Sequence, residues 1–340
     1  MKIICIGSST KDVFFPIDGG LIMETPEDLE AQRKIAFELG AKYQLANVRH
    51  EAVGGCAANV ACGLARLSIK SFCCTRVGND QSGKWIKDEL KKEGVETDLI
   101  QTDEKCQSDL SFILDHLPSG DKIIFSDRDS NEKLEILTEE IERVDTKWIF
   151  ISSLNGNQEE SWENKIDKIL KIAKENDLKL AFNPGQKNIK KDPQKVVAAA
   201  GQSQILIVNK DEAIEIISSI TKSLDNELND EIFLVKKIKE LGMKVVVITD
   251  GIRGAWGFDG DQILHVDALV RKAVDTTGAG DAFTGAFLAA HLKDKSLEEA
   301  LKWGIINSSN SVTEYGGQKG LLSQEKIEEL ISQVNIEKLL

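Results

Sequence analysis

Short apolar runs bounded by turn residues alternate along the chain with longer segments of helical spacing. Such runs are typical of strands buried on both faces, as in a parallel sheet. They occupy residues 2–7, 71–77, 147–152, 178–183, 204–209 and 244–249. The segments of helical spacing occupy residues 57–67, 83–93, 163–175, 211–220, 231–241, 281–292 and 297–313. This alternation predicts an α/β fold in which helices cover both faces of one parallel sheet.

Two segments do not follow this strand–helix rhythm. Residues 13–53 include a polar stretch of helical spacing at 27–37. Residues 110–126 have the pattern of a hairpin around Pro118 and Gly120. We expect these segments to form a small lid from insertions at approximately 13–53 and 108–128. The whole chain, residues 1–340, is then a single domain that carries a lid.

The charge balance limits the class of partner. The 340 residues include 43 Lys and Arg against 56 Asp and Glu, a formal net charge of −13. Such a chain is a poor binder of nucleic acid or of an anionic membrane surface. No apolar run has the length of a membrane span. The 6 cysteines show no metal-ligand spacing, so we expect reduced thiols and a cytoplasmic protein.

One glycine-rich segment has the features of a local anion site. Residues 275–283 read DTTGAGDAF and precede an apolar helix rich in small residues. Gly278 and Gly280 leave backbone N–H groups accessible, and the helix dipole adds partial positive charge there. Two other glycine segments lack required residues. Gly7 begins no dinucleotide fingerprint, and Trp85 stands where a P-loop needs Ser or Thr.

Asp281 lies at the start of the helix that follows this segment, and two interpretations are open for it. Asp is among the commonest residues at a helix N-cap, where it only satisfies backbone N–H groups. The alternative is catalytic. An ionised carboxylate beside an anion site could accept the proton of an attacking hydroxyl while the site holds a transferring phosphoryl group.

Three segments, in this order, carry a resemblance to a known family. They read GGCAANVA at 54–61, RVGNDQSG at 76–83 and DTTGAGDAFTGA at 275–286. Over nearly its whole length the chain resembles the PfkB/ribokinase family of carbohydrate and nucleoside kinases. The resemblance implies an α/β fold of the ribokinase-like three-layer α/β/α type with a small β-lid.

The resemblance also implies roles for residues around the phosphoryl group and the acceptor. Asp281 matches the catalytic base. The matching anion hole is Gly278, Ala279 and Gly280. The matching substrate-binding residues are Asp12, Gly54, Gly55 and Asn59. Carboxylate and amide side chains suit a polyol, because they supply paired acceptors and donors for vicinal hydroxyls.

Further positions match the family's nucleotide and cation elements. The implied nucleotide-binding residues are Asn209, Glu212, Thr249, Gly251, Gly254 and Asn307. Asn209 and Glu212 would organise Mg²⁺ through water; the alternative interpretation of this pair is a helix N-terminus with an acidic first turn. Some members hold a monovalent cation such as K⁺. The matching positions are Asp275, Thr277, Ser311, Gly316 and Gly320.

These observations predict an ATP-dependent phosphotransferase that moves the γ-phosphoryl group to a hydroxyl of a sugar, similar to ribokinases and fructokinases. ATP is then the co-substrate and Mg²⁺ the cofactor. An adenosine-like nucleoside kinase is the alternative, and a non-catalytic sugar- or nucleotide-binding protein on the same fold is the third hypothesis. Edge strands of the lid could pair, so a homodimer through the lid is a further expectation.

Overall fold

A computed structural model describes residues 1–27, 33–222 and 225–340. The strands in these ranges are β1 (Lys2–Ile6), β2 (Thr10–Ile17), β3 (Leu21–Glu24), β4 (Arg33–Ala36), β5 (His50–Gly54), β6 (Lys70–Gly78), β7 (Ile100–Asp103), β8 (Leu110–His116), β9 (Asp121–Asp127), β10 (Trp148–Ile151), β11 (Lys179–Phe182), β12 (Ile205–Asn209), β13 (Val245–Thr249), β14 (Ala255–Phe258), β15 (Ile263–Val266) and β16 (Ile336–Lys338).

The helices in the same ranges are α1 (Cys56–Arg66), α2 (Gln81–Lys92), α3 (Thr138–Glu142), α4 (Trp162–Glu175), α5 (Gly185–Lys191), α6 (Pro193–Ala200), α7 (Lys210–Ile220), α8 (Asp225–Leu228), α9 (Glu231–Lys239), α10 (Ala279–Leu292), α11 (Leu297–Ser311) and α12 (Gln324–Leu330). Within the described part of the chain, none of them combines the length and the apolar character that crossing a membrane requires.

The largest sheet has ten strands in the order β16-β15-β14-β13-β12-β11-β10-β1-β6-β7. The strands from β13 to β7 pair in parallel, which confirms the predicted α/β fold. The three strands at the other edge are antiparallel. The sequence analysis did not predict them, because four-residue runs such as β14 are too short to indicate a strand partner.

Both faces of this sheet are buried. Along β1, Ile3 and Cys5 belong to the apolar core on one face, and Ile4 and Ile6 belong to the core on the other. Side chains of α1, α10 and α11 pack into the first core, and those of α4, α6, α7 and α9 into the second. Since successive residues of a strand point to opposite faces, this partition gives the three-layer arrangement.

A second sheet, which we call the lid sheet, has the strand order β5-β2-β8-β9. Beside it β3 and β4 form an antiparallel hairpin. The helix predicted at 27–37 is wrong at 33–36, which form β4, and residues 28–32 of that prediction lie outside the described residues. Pairing with β3 decides the conformation here, and Arg33 also forms ion pairs with Glu24 and Asp121. Such tertiary pairing overrides a weak helical pattern.

Helices α1 and α10 approach closely at a pair of glycines. A Cβ added to Gly285 would lie 3.3 Å from the Gly63 Cα, and one added to Gly63 would lie 3.4 Å from the Gly285 Cα. Four residues earlier stand Asn59 on α1 and Asp281 on α10. Residues four apart share a helix face, so the glycine crossing brings these two side chains together.

We predict that Gly285→Val destabilises the protein by about 1–3 kcal/mol, because overpacking forces tightly packed helices apart. Helix propensity alone would slightly favour Val over Gly. A decrease in the free energy of unfolding therefore identifies the steric effect. Urea denaturation measures it. A variant as stable as the wild type would show that α1 and α10 tolerate a wider separation.

Candidate active site

The candidate residues converge on one edge of the main sheet. Asp12 follows β1, Asn209 ends β12 and Thr249 ends β13, and these three strands run parallel. The carboxyl ends of parallel strands therefore lie on the same edge, the usual place for a ligand crevice in such sheets. The N-terminus of α10 and the lid sheet flank this crevice.

Asp281 is held by a side chain from another helix. The Asn59 amide Nδ2 donates a hydrogen bond of 2.8 Å to Oδ2 of Asp281. In turn the Asn59 Oδ1 accepts a bond of 3.1 Å from Gln318 Nε2. Asn59 and Gln318 are both buried. The cap of α10 is Gly278, without a side-chain hydrogen bond, so Asp281 is not an N-cap residue and its carboxylate is directed toward α1.

The surroundings of Asp281 make its carboxylate a stronger base. Burial raises its pKa above the ordinary value, hydrogen bonds from Asn59 and Cys56 oppose this effect, and the charge of Asp12 adds to the rise. A carboxylate with a raised pKa is better matched to removing a hydroxyl proton near neutral pH. The base role of Asp281 stays a prediction at this point.

The segment before Asp281 forms a concave backbone. Gly278 has a φ of 77°, and a Cβ on it would lie 2.6 Å from the Gly317 Cα, so glycine is required there. The N–H groups of Gly280 and Asp281 belong to the first turn of α10, where they have no carbonyl partner within the helix. Nothing lies within 4 Å of the position of a Cβ on Gly280. An anion can therefore approach these amides.

The acceptor side of the crevice is built around Asp12. A Cβ on Gly54 would lie 1.9 Å from Asp12 Oδ2, so the carboxylate lies against the di-glycine backbone. The Thr10 hydroxyl donates 2.8 Å to its Oδ1. Burial raises the pKa of Asp12, which hydrogen bonds from Thr10 and Ser111 and the charge of Arg128 partly counteract. Ser111 on β8 and Arg128 after β9 thus join the predicted acceptor residues, and sequence spacing gave no signal for Ser111.

A cleft of about 390 Å³ borders the glycine-rich segment 275–283, which we call the anion segment. Its lining includes the predicted Thr249, Gly251 and Gly254. The cleft also touches Gly280, which joins it to the anion segment. Apolar walls come from Ile252, Leu269, Val270, Phe283, Ile305 and Val312. Apolar walls that end at an array of amides suit a planar ring with a phosphate chain.

The chain matches a known protein family over most of its length. The model of the pfkB family carbohydrate kinase matches residues 34–324. The chain belongs to the pfkB family of carbohydrate kinases. Its membership confirms the predicted family, and with it the expectation of an ATP-dependent carbohydrate kinase.

Individual relatives of this pfkB chain are distant but match along most of its length. It is 28% identical over 295 residues to a ribokinase of Haemophilus influenzae, covering 86% of this chain and 89% of that protein. Ribokinase of Arabidopsis thaliana complexed with ribose and ATP superposes with a TM-score of 0.76 at 20% identity, over 97% of this chain and 98% of that one. A nucleoside kinase of Burkholderia thailandensis in complex with inosine has a TM-score of 0.76 at 16% identity, over 98% of each chain. These superpositions confirm the ribokinase-like fold.

Asn209 and Glu212 form a reciprocal capping box at the start of α7. The Asn209 Oδ1 accepts 2.8 Å from the Glu212 N–H, and the Glu212 Oε2 accepts 3.0 Å from the Asn209 N–H. Burial raises the pKa of Glu212 to about 7, against the effect of backbone hydrogen bonds from Asn209 and Gln186. Glu212 also raises the pKa of Cys56, so its charge reaches the start of α1 beside Asp281.

The raised pKa of Glu212 predicts a pH-dependent effect of Glu212→Gln. Gln keeps the capping box but removes a carboxyl group whose ionisation disfavours the folded state. At about pH 8, above both the ordinary and the raised pKa, the variant should be more stable by about 3 kcal/mol. This gain should shrink as the pH falls through 7 toward 4.5. Denaturation at several pH values without Mg²⁺ tests it, and a pH-independent difference would contradict it.

Asn307 lies beside the nucleotide cleft and does not line it. It is buried, its Nδ2 donates 2.9 Å to the Ala282 carbonyl, and its Oδ1 accepts 2.9 Å from the Leu322 N–H. Its neighbours Ser308 and Ser309 line the cleft instead. The Asn307 amide therefore fastens α11 to α10, and a direct nucleotide contact by this residue stays a prediction.

Two residues beside Asp281 were not identified from the sequence. Cys56 hydrogen-bonds the carboxylate, which lowers the pKa of Asp281, and Gln318 orients Asn59. Cys56 lay inside the quoted glycine motif and could have been considered there. Gln318 lies more than two hundred residues away from Asn59 in a loop without a motif, so only the folded chain shows the contact.

We predict that Asn59→Leu moves the acidic limb of the pH profile of kcat/KM to higher pH. Loss of the Asn59 donor leaves burial and Asp12 to raise the pKa of Asp281 further, and the base must be ionised to act. Asn176→Leu, at the distant end of α4, is the control and should keep the wild-type profile. An unshifted limb in Asn59→Leu would show that Asp281 does not govern it.

Proposed function

We propose that this chain transfers the γ-phosphoryl group of ATP to a hydroxyl of a small sugar, with Asp281 as general base. The observation that carries the proposal is the position of the Asp281 carboxylate. It lies in the first turn of α10 and accepts a hydrogen bond from Asn59, and the charge of Asp12 raises its pKa. It therefore lies between the acceptor side and the amides suited to a phosphoryl group.

The reaction follows from this placement. Asp12, with the hydroxyl-bearing residues around it, orients the acceptor, and Asp281 takes the proton of the attacking hydroxyl as the new O–P bond forms. ADP leaves as the bond from the γ-phosphorus to its bridging oxygen breaks. The amides of Gly280 and Asp281 face the charge that develops on the phosphoryl oxygens. Positioning and electrostatic stabilisation are the main demands of such a transfer.

Mg²⁺ is the metal that this site would use, with Asn209 and Glu212 as the residues that organise it. Their oxygen atoms and the carboxylate character of Glu212 fit a hard cation that retains several waters. Bound to the phosphate chain, Mg²⁺ supplies charge neutralisation. No cluster of three or more His, Cys, Asp or Glu suited to a metal occurs in the part of the chain that the structure describes, which favours coordination through water and the phosphates.

Sugar is the acceptor class that the acceptor side favours. Asp12, Ser111 and Arg128 present a carboxylate, a hydroxyl and a guanidinium, which match a polyol. The relative from Haemophilus influenzae that bears the name ribokinase supports the same choice. A nucleoside is the alternative acceptor, supported by the similar fold of the inosine-bound Burkholderia kinase. A non-catalytic binding protein would not need a base of raised pKa beside an anion site.

ATP consumption over a panel of pentoses, hexoses, phosphosugars and nucleosides tests this function. We expect turnover with at least one sugar and a loss of about 10²–10⁴-fold in Asp281→Asn, the usual contribution of a general base. The matched control is Asp167→Asn on α4, with an exposed side chain, which should keep full activity. No turnover with any acceptor, or an Asp281→Asn variant equal to the wild type, would contradict the proposal. Saturable sugar binding without turnover would favour the binding protein.

We further propose a homodimer through the outer face of the lid sheet. In this face β8 and β9 place Leu110, Phe112, Ile123 and Phe125 side by side, each at least 36% exposed. Among the described residues β9 is also an edge strand of this sheet, and edge strands offer backbone groups for pairing. A second copy of the same sheet would cover both features.

We predict that Phe125→Lys shifts this dimer to monomer, because it puts a charge into an apolar interface. Light scattering coupled to size exclusion measures the mass. Lys70→Met, far from the lid, is the control and should leave the mass unchanged. A wild-type monomer at all concentrations would overturn the proposed dimer.

We place the reaction in the cytoplasm. All six cysteines are free thiols, and five of the six are buried. Burial raises the pKa of Cys62 and Cys73 well above the ordinary value. Inert reduced thiols are typical of a reducing compartment, where ATP is also available.

A further inference from the structure

Asp275 is a buried carboxylate that joins two loops of the active site. Its Oδ1 accepts 2.9 Å from the Thr277 N–H, and its Oδ2 accepts 2.8 Å from the Gly316 N–H. Its side chain has no exposed surface. Thr277 belongs to the anion segment. Gly316 precedes Gly317, whose Cα lies close to Gly278 of that segment. The position of this carboxylate therefore influences the shape of the anion site.

The charge on Asp275 is balanced by a lysine from the lid. The Lys122 ammonium, on β9, forms a short ion pair with Asp275 Oδ1. The side chain of Lys122 is only 14% exposed, and its Nζ lies 5.8 Å from the centroid of the Phe14 ring. A buried carboxylate without a partner is costly. Lys122 of the lid sheet therefore neutralises a negative charge that is buried in the main domain.

Neighbouring contacts keep Lys122 within reach of Asp275. Tyr315, adjacent to Gly316, stacks on His50 of β5 with ring centroids 4.2 Å apart. The Tyr315 hydroxyl donates 3.0 Å to Asp115 Oδ2 on β8, and its ring lies 5.5 Å from that of Phe14 on β2. Three strands of the lid sheet thus contact the same loop that bonds Asp275.

Three of the five positions expected to hold a monovalent cation, Asp275, Ser311 and Gly320, have internal partners. Besides Lys122 and the two N–H groups on Asp275, the Gly320 carbonyl accepts 2.8 Å from Asn310 Nδ2. The Ser311 hydroxyl donates 2.8 Å to the Ser308 carbonyl. The side chains present therefore do not fit a bound K⁺ beside Asp275, since an ammonium of this chain stands there.

We propose that Lys122 is a positioning residue for phosphoryl transfer, whose ammonium supplies at Asp275 the charge that a monovalent cation would supply. Docking of the lid then orders the anion segment through Asp275. Turnover needs no added K⁺. This inference rests on the proposed function, which supplies the reaction that Lys122 assists.

The decisive variant is Lys122→Met, which keeps most of the apolar stem of the side chain and removes the terminal ammonium with its charge. We expect kcat to fall about 10- to 100-fold from misplacement of the anion segment, with little change in the acceptor KM. K⁺ or NH₄⁺ should restore part of the loss, because the vacated space beside Asp275 can accept a small cation. Lys122→Arg should retain more activity than Lys122→Met. Lys70→Met is the matched control, since Lys70 also pairs with a carboxylate and lies over an aromatic ring.

The wild type, assayed with Mg²⁺ present, should be insensitive to K⁺ in a buffer whose only other monovalent cation is tetramethylammonium. A wild-type enzyme activated tenfold or more by K⁺, a Lys122→Met variant of wild-type kcat, or a loss that no cation relieves would each overturn the proposal.

A second measurement separates failure of this inference from failure of the proposed function. The Tm of each protein without nucleotide is recorded with K⁺ and with tetramethylammonium. A cation bound only by the folded state raises Tm, so we expect K⁺ to raise the Tm of Lys122→Met and not that of the wild type. That result supports the role of Lys122 even if no acceptor is turned over. K⁺ stabilisation of the wild type, or of neither protein, would overturn it.

Discussion

The close crossing of α1 and α10 at Gly63 and Gly285 is the constraint on which the active site depends. Without Cβ atoms the two backbones come near enough for Asn59 to reach Asp281. Asp281 lies one helical turn from this crossing, and burial is the main cause of its raised pKa. The crossing therefore sets the orientation of the proposed base through Asn59, which a pair of larger residues at the crossing would prevent.

The lid sheet contributes to the site in two ways. Its inner side brings polar groups to the crevice, and its contacts with the main domain reach buried residues there. Asp12 and Ser111 belong to its strands, and Tyr315 and Asp275 of the core bond to it. The lid sheet and the anion segment are thus linked through shared residues. Such a link would favour phosphoryl transfer to an acceptor over transfer to water, since an undocked lid leaves Asp275 without its partner.

The parts of the fold with a local signal were predictable from the sequence. Buried runs such as β12 and β13 indicated the parallel sheet, and the glycines before α10 indicated an anion site. The antiparallel edge β14–β16 and the hairpin β3–β4 depend on partners that four-residue runs do not specify. Whether Asp281 is a helix cap or a base depends on what α1 places beside it, and the ion pair of Lys122 joins residues more than a hundred and fifty positions apart. These features follow from tertiary packing, so spacing along the chain does not reveal them.

A crystal structure with the accepted sugar and a non-hydrolysable ATP analogue tests the central claim most directly. The account predicts one acceptor hydroxyl within hydrogen-bond reach of the Asp281 carboxylate, about 2.6–3.2 Å. It also predicts γ-phosphoryl oxygens facing the amides of Gly280 and Asp281. An acceptor hydroxyl beyond that reach, bonded instead to another ionisable side chain, would contradict the role of Asp281 as the base.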